Sequence, residues 1–232
     1  MYKNENDNWV KKSFCTLLIG SAFLFFCSPV MFIKSPDIRM AVALFMLPVF
    51  FLSAVLIPCF LACKKNICEM LDLKLPGIKD FGIALTMIPL FFLFAGLTAL
   101  LKKFGYEPPP QFLVSYAKDC PQWLFYLILF CAGILAPVSE ELAFRRVMAL
   151  FFREIFPGKF GTVAVYFIPS FLFAIFHGFV WQSVLLFFLA LILQRNQLHG
   201  SITRTILMHA VFNWCSLSVL ILVRTGLLPG AF

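Results

Sequence analysis

The stretch LFYLILFCAGILAPVSEELAFR, residues 124–145, decides the reading of this chain. Leu124 to Val138 form a purely apolar run, and the adjacent carboxylates Glu140 and Glu141 follow almost at once, with Arg145 four residues on. The same contrast holds along the whole chain. Of its 232 residues, 62% are hydrophobic and 13% are charged. A soluble domain carries about 25% charged residues. The mean hydropathy is +0.94. A soluble core cannot absorb this much apolar surface, whereas lipid can, and the 31 Phe suit lipid-facing positions. The expected class is an all-α, polytopic transmembrane helix bundle of about seven to eight spans.

The net charge of +8 does not point to nucleic acid. The Lys and Arg sit mostly between apolar runs, where they orient the chain in the bilayer. The eight Cys are scattered, several of them inside apolar runs, and no CxxC pair occurs. They therefore suggest neither a disulfide framework nor a zinc site. The run from Ser13 to Ile33 is too long for a signal-peptide core and no small-x-small cleavage site follows it, so it is expected to be a retained span.

A helix needs about 20 apolar residues to cross the hydrocarbon core. Candidate spans are 13–33, 40–62, 81–101, 122–139, 160–177, 180–194 and 203–223. Pro108 to Pro110 are expected in a loop, and the basic, aromatic segment 145–159 suggests an amphipathic interfacial helix. Seven spans with a cytoplasmic N-terminus place 13 Lys and Arg on the cytoplasmic side against 6 on the other. Residues 1–121 supply spans without motifs, and 122–232 hold the chemistry, within one membrane domain. The setting expected is the bacterial inner membrane, with the lipid bilayer as partner and no nucleic acid.

Of 11 acidic residues, only Glu140 and Glu141 follow directly on an apolar span. An ionised group at mid-bilayer costs about 2.5–3.5 kcal/mol on insertion scales, so such residues are functional candidates by default. Arg145 shares a helix face with Glu141 and can pair with it. Glu140 points about 100° away and stays free for chemistry. Pro137 can kink the helix and admit water. His177 and His209 are also embedded, and Asn213 lies one turn beyond His209, so His209 and Asn213 can act on one atom. Each group alone has a plain structural reading: an interhelical hydrogen bond for a lone His or Asn, a structural pair for Glu141 and Arg145. Their co-occurrence in a chain nearly free of buried polar groups shifts the balance.

EELAFR (Glu140 to Arg145), FAIFH (Phe173 to His177) and HAVFN (His209 to Asn213) read in order as EExxxR, FxxxH and HxxxN. This series resembles the CPBP family of CAAX proteases and bacteriocin-processing enzymes, also called Abi, over roughly residues 122–223. Family members often carry Gly after the motif Arg, where this chain has Arg146. The resemblance implies an intramembrane endopeptidase acting on a peptide or membrane-protein substrate. It implies that Glu140 and His177 orient and deprotonate a water, and that His209 and Asn213 stabilise the oxyanion. Glu141, Arg145 and Phe173 would support the site. No cofactor is expected. A zinc-dependent version of the same protease is the alternative, since two His and a Glu are a legitimate zinc set. Against it, no HExxH occurs and an amide such as Asn213 is an unusual zinc ligand. A non-enzymatic protein, an ion or proton pathway or an immunity scaffold, is the reading from another class.

Overall fold

The computed structural model describes residues 8–26, 32–62, 66–106, 112–177 and 181–228. Among them are nine helices: α1 (Asn8–Phe26), α2 (Pro36–Ala62), α3 (Ile67–Met70), α4 (Ile78–Lys103), α5 (Phe112–Asp119), α6 (Gln122–Ile155), α7 (Gly158–Phe176), α8 (Trp181–Leu198) and α9 (Ile202–Arg224). The protein is an all-α bundle. Its seven long helices fall at the seven expected spans, and five of them, α2, α4, α6, α7 and α9, are long and apolar enough to cross a membrane. The loop expected at Pro108 to Pro110 and the end of the first expected span lie outside the described residues.

Large apolar side chains such as Ile57, Phe60, Phe92, Phe167 and Phe188 point outward, as a lipid solvent allows. Pro48 and Pro58 lie inside α2. Helix-interior Pro is tolerated in membrane helices, where neighbouring helices and side chains re-satisfy the freed backbone groups. α4 bends at Thr86, whose N–H and hydroxyl both donate to Ile83 O, three residues before Pro89.

α9 is pinned at both ends. At its start the Ser201 hydroxyl accepts from Arg204 N–H, and Arg204 Nε donates to Asp80 Oδ1 at 2.6 Å. Asp80 belongs to the first turn of α4, so the two helices start side by side. At its end Arg224 donates to the carbonyls of Ala117 (2.6 Å) and Cys120 (2.7 Å) and lies over the Phe125 ring.

α6 corrects the sequence reading of segment 145–159. It runs unbroken through 34 residues to Ile155. Arg145, Val147, Met148 and Ala149 are buried in the bundle, so no interfacial helix forms there. Arg146 also turns inward, donating from Nε and Nη2 to Met70 O at 2.9 and 2.6 Å, where it ties the α3 turn to α6. The position after Arg145 thus holds a packing clamp.

Two stretches of α6 are π-helical, Cys131–Leu135 and Glu141–Met148. They flank Pro137, which lacks an N–H and cannot continue an i→i−4 ladder. The helix widens on both sides of the proline, in the form that π-bulges take at functional sites.

Candidate active site

Three helices converge on Glu140. Its Oε2 lies 4.0 Å from His177 Nε2 and 3.9 Å from His209 Nε2. α6 supplies the carboxylate, the end of α7 supplies His177, and α9 supplies His209. Residues from positions 140, 177 and 209 therefore meet in one cluster.

The outer contacts of each imidazole set its tautomer. His177 Nδ1 is 2.8 Å from Phe173 O, a carbonyl that can only accept, so Nδ1 carries the proton. His209 Nδ1 is 2.9 Å from Glu141 Oε1, the carboxylate partnered with Arg145, and it too is the donor. In the neutral ring, each Nε2 then turns a lone pair toward Glu140. Glu140 Oε2 is buried and accepts no hydrogen bond from the described residues. Three acceptor atoms thus face one another with no donor from the described residues between them. A water about 2.8 Å from each of two atoms about 4 Å apart sits to one side of the line between them, which lets it touch Glu140 Oε2 and an imidazole Nε2 together.

Glu141 and Arg145 form the floor. Both side chains are fully buried, 3.5 Å apart. The Arg145 guanidinium lies 4.4 Å from the Phe173 ring centroid, a cation–π contact. Phe173, itself fully buried, packs its other contacts on both imidazoles, with ring centroids 4.7 Å from His177 and 5.6 Å from His209. Phe173 is thus the centre of the packing around the cluster. Sequence reading gives it a supporting part only, and the FxxxH spacing was its one signal.

Asn213 stands apart. It is one turn beyond His209 on α9, but its Nδ2 donates to Ala132 O in the first π-helical stretch of α6, at 2.8 Å. The third histidine, His199, opens the α8–α9 connection and takes no part in the cluster.

Two histidines and a glutamate raise the question of a metal. Zinc holds N and O ligands at about 2.0–2.2 Å, which puts tetrahedral neighbours about 3.4 Å apart. The spacings of 3.9 and 4.0 Å are wider. Among the described residues no three His, Cys, Asp or Glu are grouped to hold a metal ion. A separate cavity of about 570 Å³ opens between Asp37, Tyr116, Asp119, Cys120 and Pro121 and contains none of the cluster. There Tyr116 donates to Asp37, and its phenol pKa is pushed up to about 12.

Comparison with curated proteins and with solved structures finds no match. Residues 121–215, a segment holding every residue of the cluster and Asn213, match the Rce1-like family model, described as Type II CAAX prenyl endopeptidase Rce1-like, and the likeness is to CAAX-type intramembrane proteases.

Proposed function

We propose that this chain is an intramembrane endopeptidase of the CAAX-protease type that works without a metal. The observation that carries the proposal is the gap enclosed by Glu140 Oε2, His177 Nε2 and His209 Nε2, three acceptors spaced for a water. A bound water offers both its protons to such a site. Glu140 then takes one proton as the water oxygen attacks the scissile carbonyl. Glu140 passes that proton to His209 Nε2, and the Glu141 carboxylate behind the ring stabilises the imidazolium. That imidazolium donates to the oxyanion of the tetrahedral intermediate or returns the proton to the leaving amine. Asn213 keeps a second Nδ2–H beyond the one given to Ala132, and that donor serves the oxyanion. The substrate is a peptide or a membrane protein, reached from the His177 side, whose side chain is 37% exposed against 3% for His209.

The test is proteolysis by purified protein in lipid nanodiscs, with farnesylated and unprenylated peptides, across a chelation series and with elemental analysis. Cleavage that survives exhaustive chelation, with no stoichiometric metal, is the expected result. One zinc per chain, with activity lost on chelation and restored by zinc, overturns the metal-free assignment. Proton flux without cleavage points instead to a proton pathway.

We further propose that the N-terminus is cytoplasmic, in a bacterial inner membrane. Arg145 and Arg146 are turned into the bundle. Taking these two from the 13 leaves a bias of 11 to 6, in the same direction. Cysteines placed at Lys74 and Lys118 in a cysteine-free background should label from opposite faces of sealed vesicles. Labelling of both from one face rejects this topology.

A further inference from the structure

We propose that Asn213 is a positioning residue that holds the π-bulge of α6 and thereby sets the rotation at which Glu140 faces the histidines. The proposal rests on the catalytic reading above but concerns a different atom, the carbonyl oxygen of Ala132.

In a helix Ala132 O has two possible partners, the N–H of residue 136 in α geometry and that of residue 137 in π geometry. Ala136 N–H is already given to Cys131 O. Residue 137 is proline and has no N–H. The carbonyl therefore has no donor within its own helix, and a buried carbonyl left so costs free energy comparable to a lost hydrogen bond. Asn213 Nδ2 supplies the missing donor from α9 at 2.8 Å. The next residue on each helix closes the same seam. Gly133 packs so near Trp214 that a Cβ there would come within 2.8 Å of its indole. α9 is thus seated on the bulge by one hydrogen bond and one glycine contact.

The consequence reaches Glu140. A π-bulge adds one residue to the helix and turns everything beyond it by about 100° relative to an uninterrupted α-helix. Glu140 is three residues past Pro137, so its direction depends on the bulge staying open. Asn213 holds the bulge, and through it the carboxylate, in addition to any donor it offers the substrate.

Two readouts test this without relying on proteolysis. The first is cross-linking of cysteines at Glu140 and His177 by a short bis-methanethiosulfonate in a cysteine-free background. Adding Asn213→Ala should lower the yield at least threefold in the folded, monodisperse fraction. The second is the thermal midpoint. Asn213→Ala should lower it clearly in the parent chain and by less than half as much in a Pro137→Ala background, where residue 137 regains an N–H. Asn213→Asp, nearly isosteric but presenting only acceptors when ionised, should repeat both readings if the alanine variant folds poorly. Cross-linking unchanged by either Asn213 variant overturns the proposal, as do equal midpoint shifts in the two backgrounds. A chain that shows both effects but cleaves no peptide keeps the positioning role and rejects the protease reading.

Discussion

Glu140→Gln is expected to reduce turnover by at least a thousandfold while leaving the fold intact. General-base catalysis contributes about 10²–10⁴ in rate, and a carboxamide cannot accept the water's proton. The substitution is nearly isosteric, so water can still enter the gap, but the base is gone. Glu140 Oε2 has no hydrogen-bond partner among the described residues, and its neighbours are two imidazole nitrogens turned as acceptors. A neutral amide there removes lone-pair repulsion, so the thermal midpoint should stay level or rise. Loss of activity with the midpoint held separates a chemical role from a structural one. A variant that retains more than a tenth of parental kcat would remove Glu140 from the role of base.

The same substitution at Glu141 should behave differently. Glu141 touches both His209 Nδ1 and Arg145 and accepts from the imidazole. Glu141→Gln therefore weakens the fold as well as the reaction, and comparing it with Glu140→Gln assigns the two carboxylates to two roles.

Arg145→Ala is expected to give the largest loss of folded protein. Arg145 is among the largest fully buried side chains, and its charge is compensated at 3.5 Å by Glu141 and over the face of Phe173. Removing it strands a buried carboxylate and empties a guanidinium-sized space against Phe144 and Phe173. Breaking a fully buried pair costs about 3–5 kcal/mol, a large share of the about 5–15 kcal/mol that holds a typical domain. Arg145→Lys should not rescue it, because an ammonium lacks the planar face that stacks on Phe173. Replacing both partners together, Arg145→Met with Glu141→Gln, should restore folded yield above either single change without restoring turnover. Yield by size exclusion and the thermal midpoint are the measurements. An Arg145→Ala protein with parental midpoint would show that the pair contributes nothing to the fold.

The class of fold was legible because it rests on composition and run length. Runs of apolar residues such as 40–62 and 81–101 are long enough to span and too apolar for anything but lipid, so α2 and α4 appear near their expected bounds. The residues of the cluster were legible for a related reason. Glu140, Glu141, His177 and His209 are costly near lipid, and a costly group stands out against an apolar background. The i,i+4 pairing of Glu141 with Arg145 followed from helix geometry alone and holds across the π-helical stretch. Segment 145–159 was misread because its basic and aromatic composition suggested an interface. Arg146 instead finds its partner inside the bundle, in the carbonyl of Met70, and no local pattern encodes a partner 76 residues away.

By itself, then, the sequence determined the solvent, the rough bounds of the long helices, and the short set of residues able to do acid–base work. These are one-dimensional properties, read from composition and from spacing along one helix. Only the tertiary structure decided which nitrogen of each histidine is protonated, since Phe173 O and Glu141 Oε1 make that choice from outside the ring. It also turned Asn213 onto Ala132 O, because Pro137 removes a donor from a helix that Asn213 does not belong to. The hydrogen-bond partners of a buried group are set by whichever helices pack against it, and that packing is a property of the bundle and of no single segment.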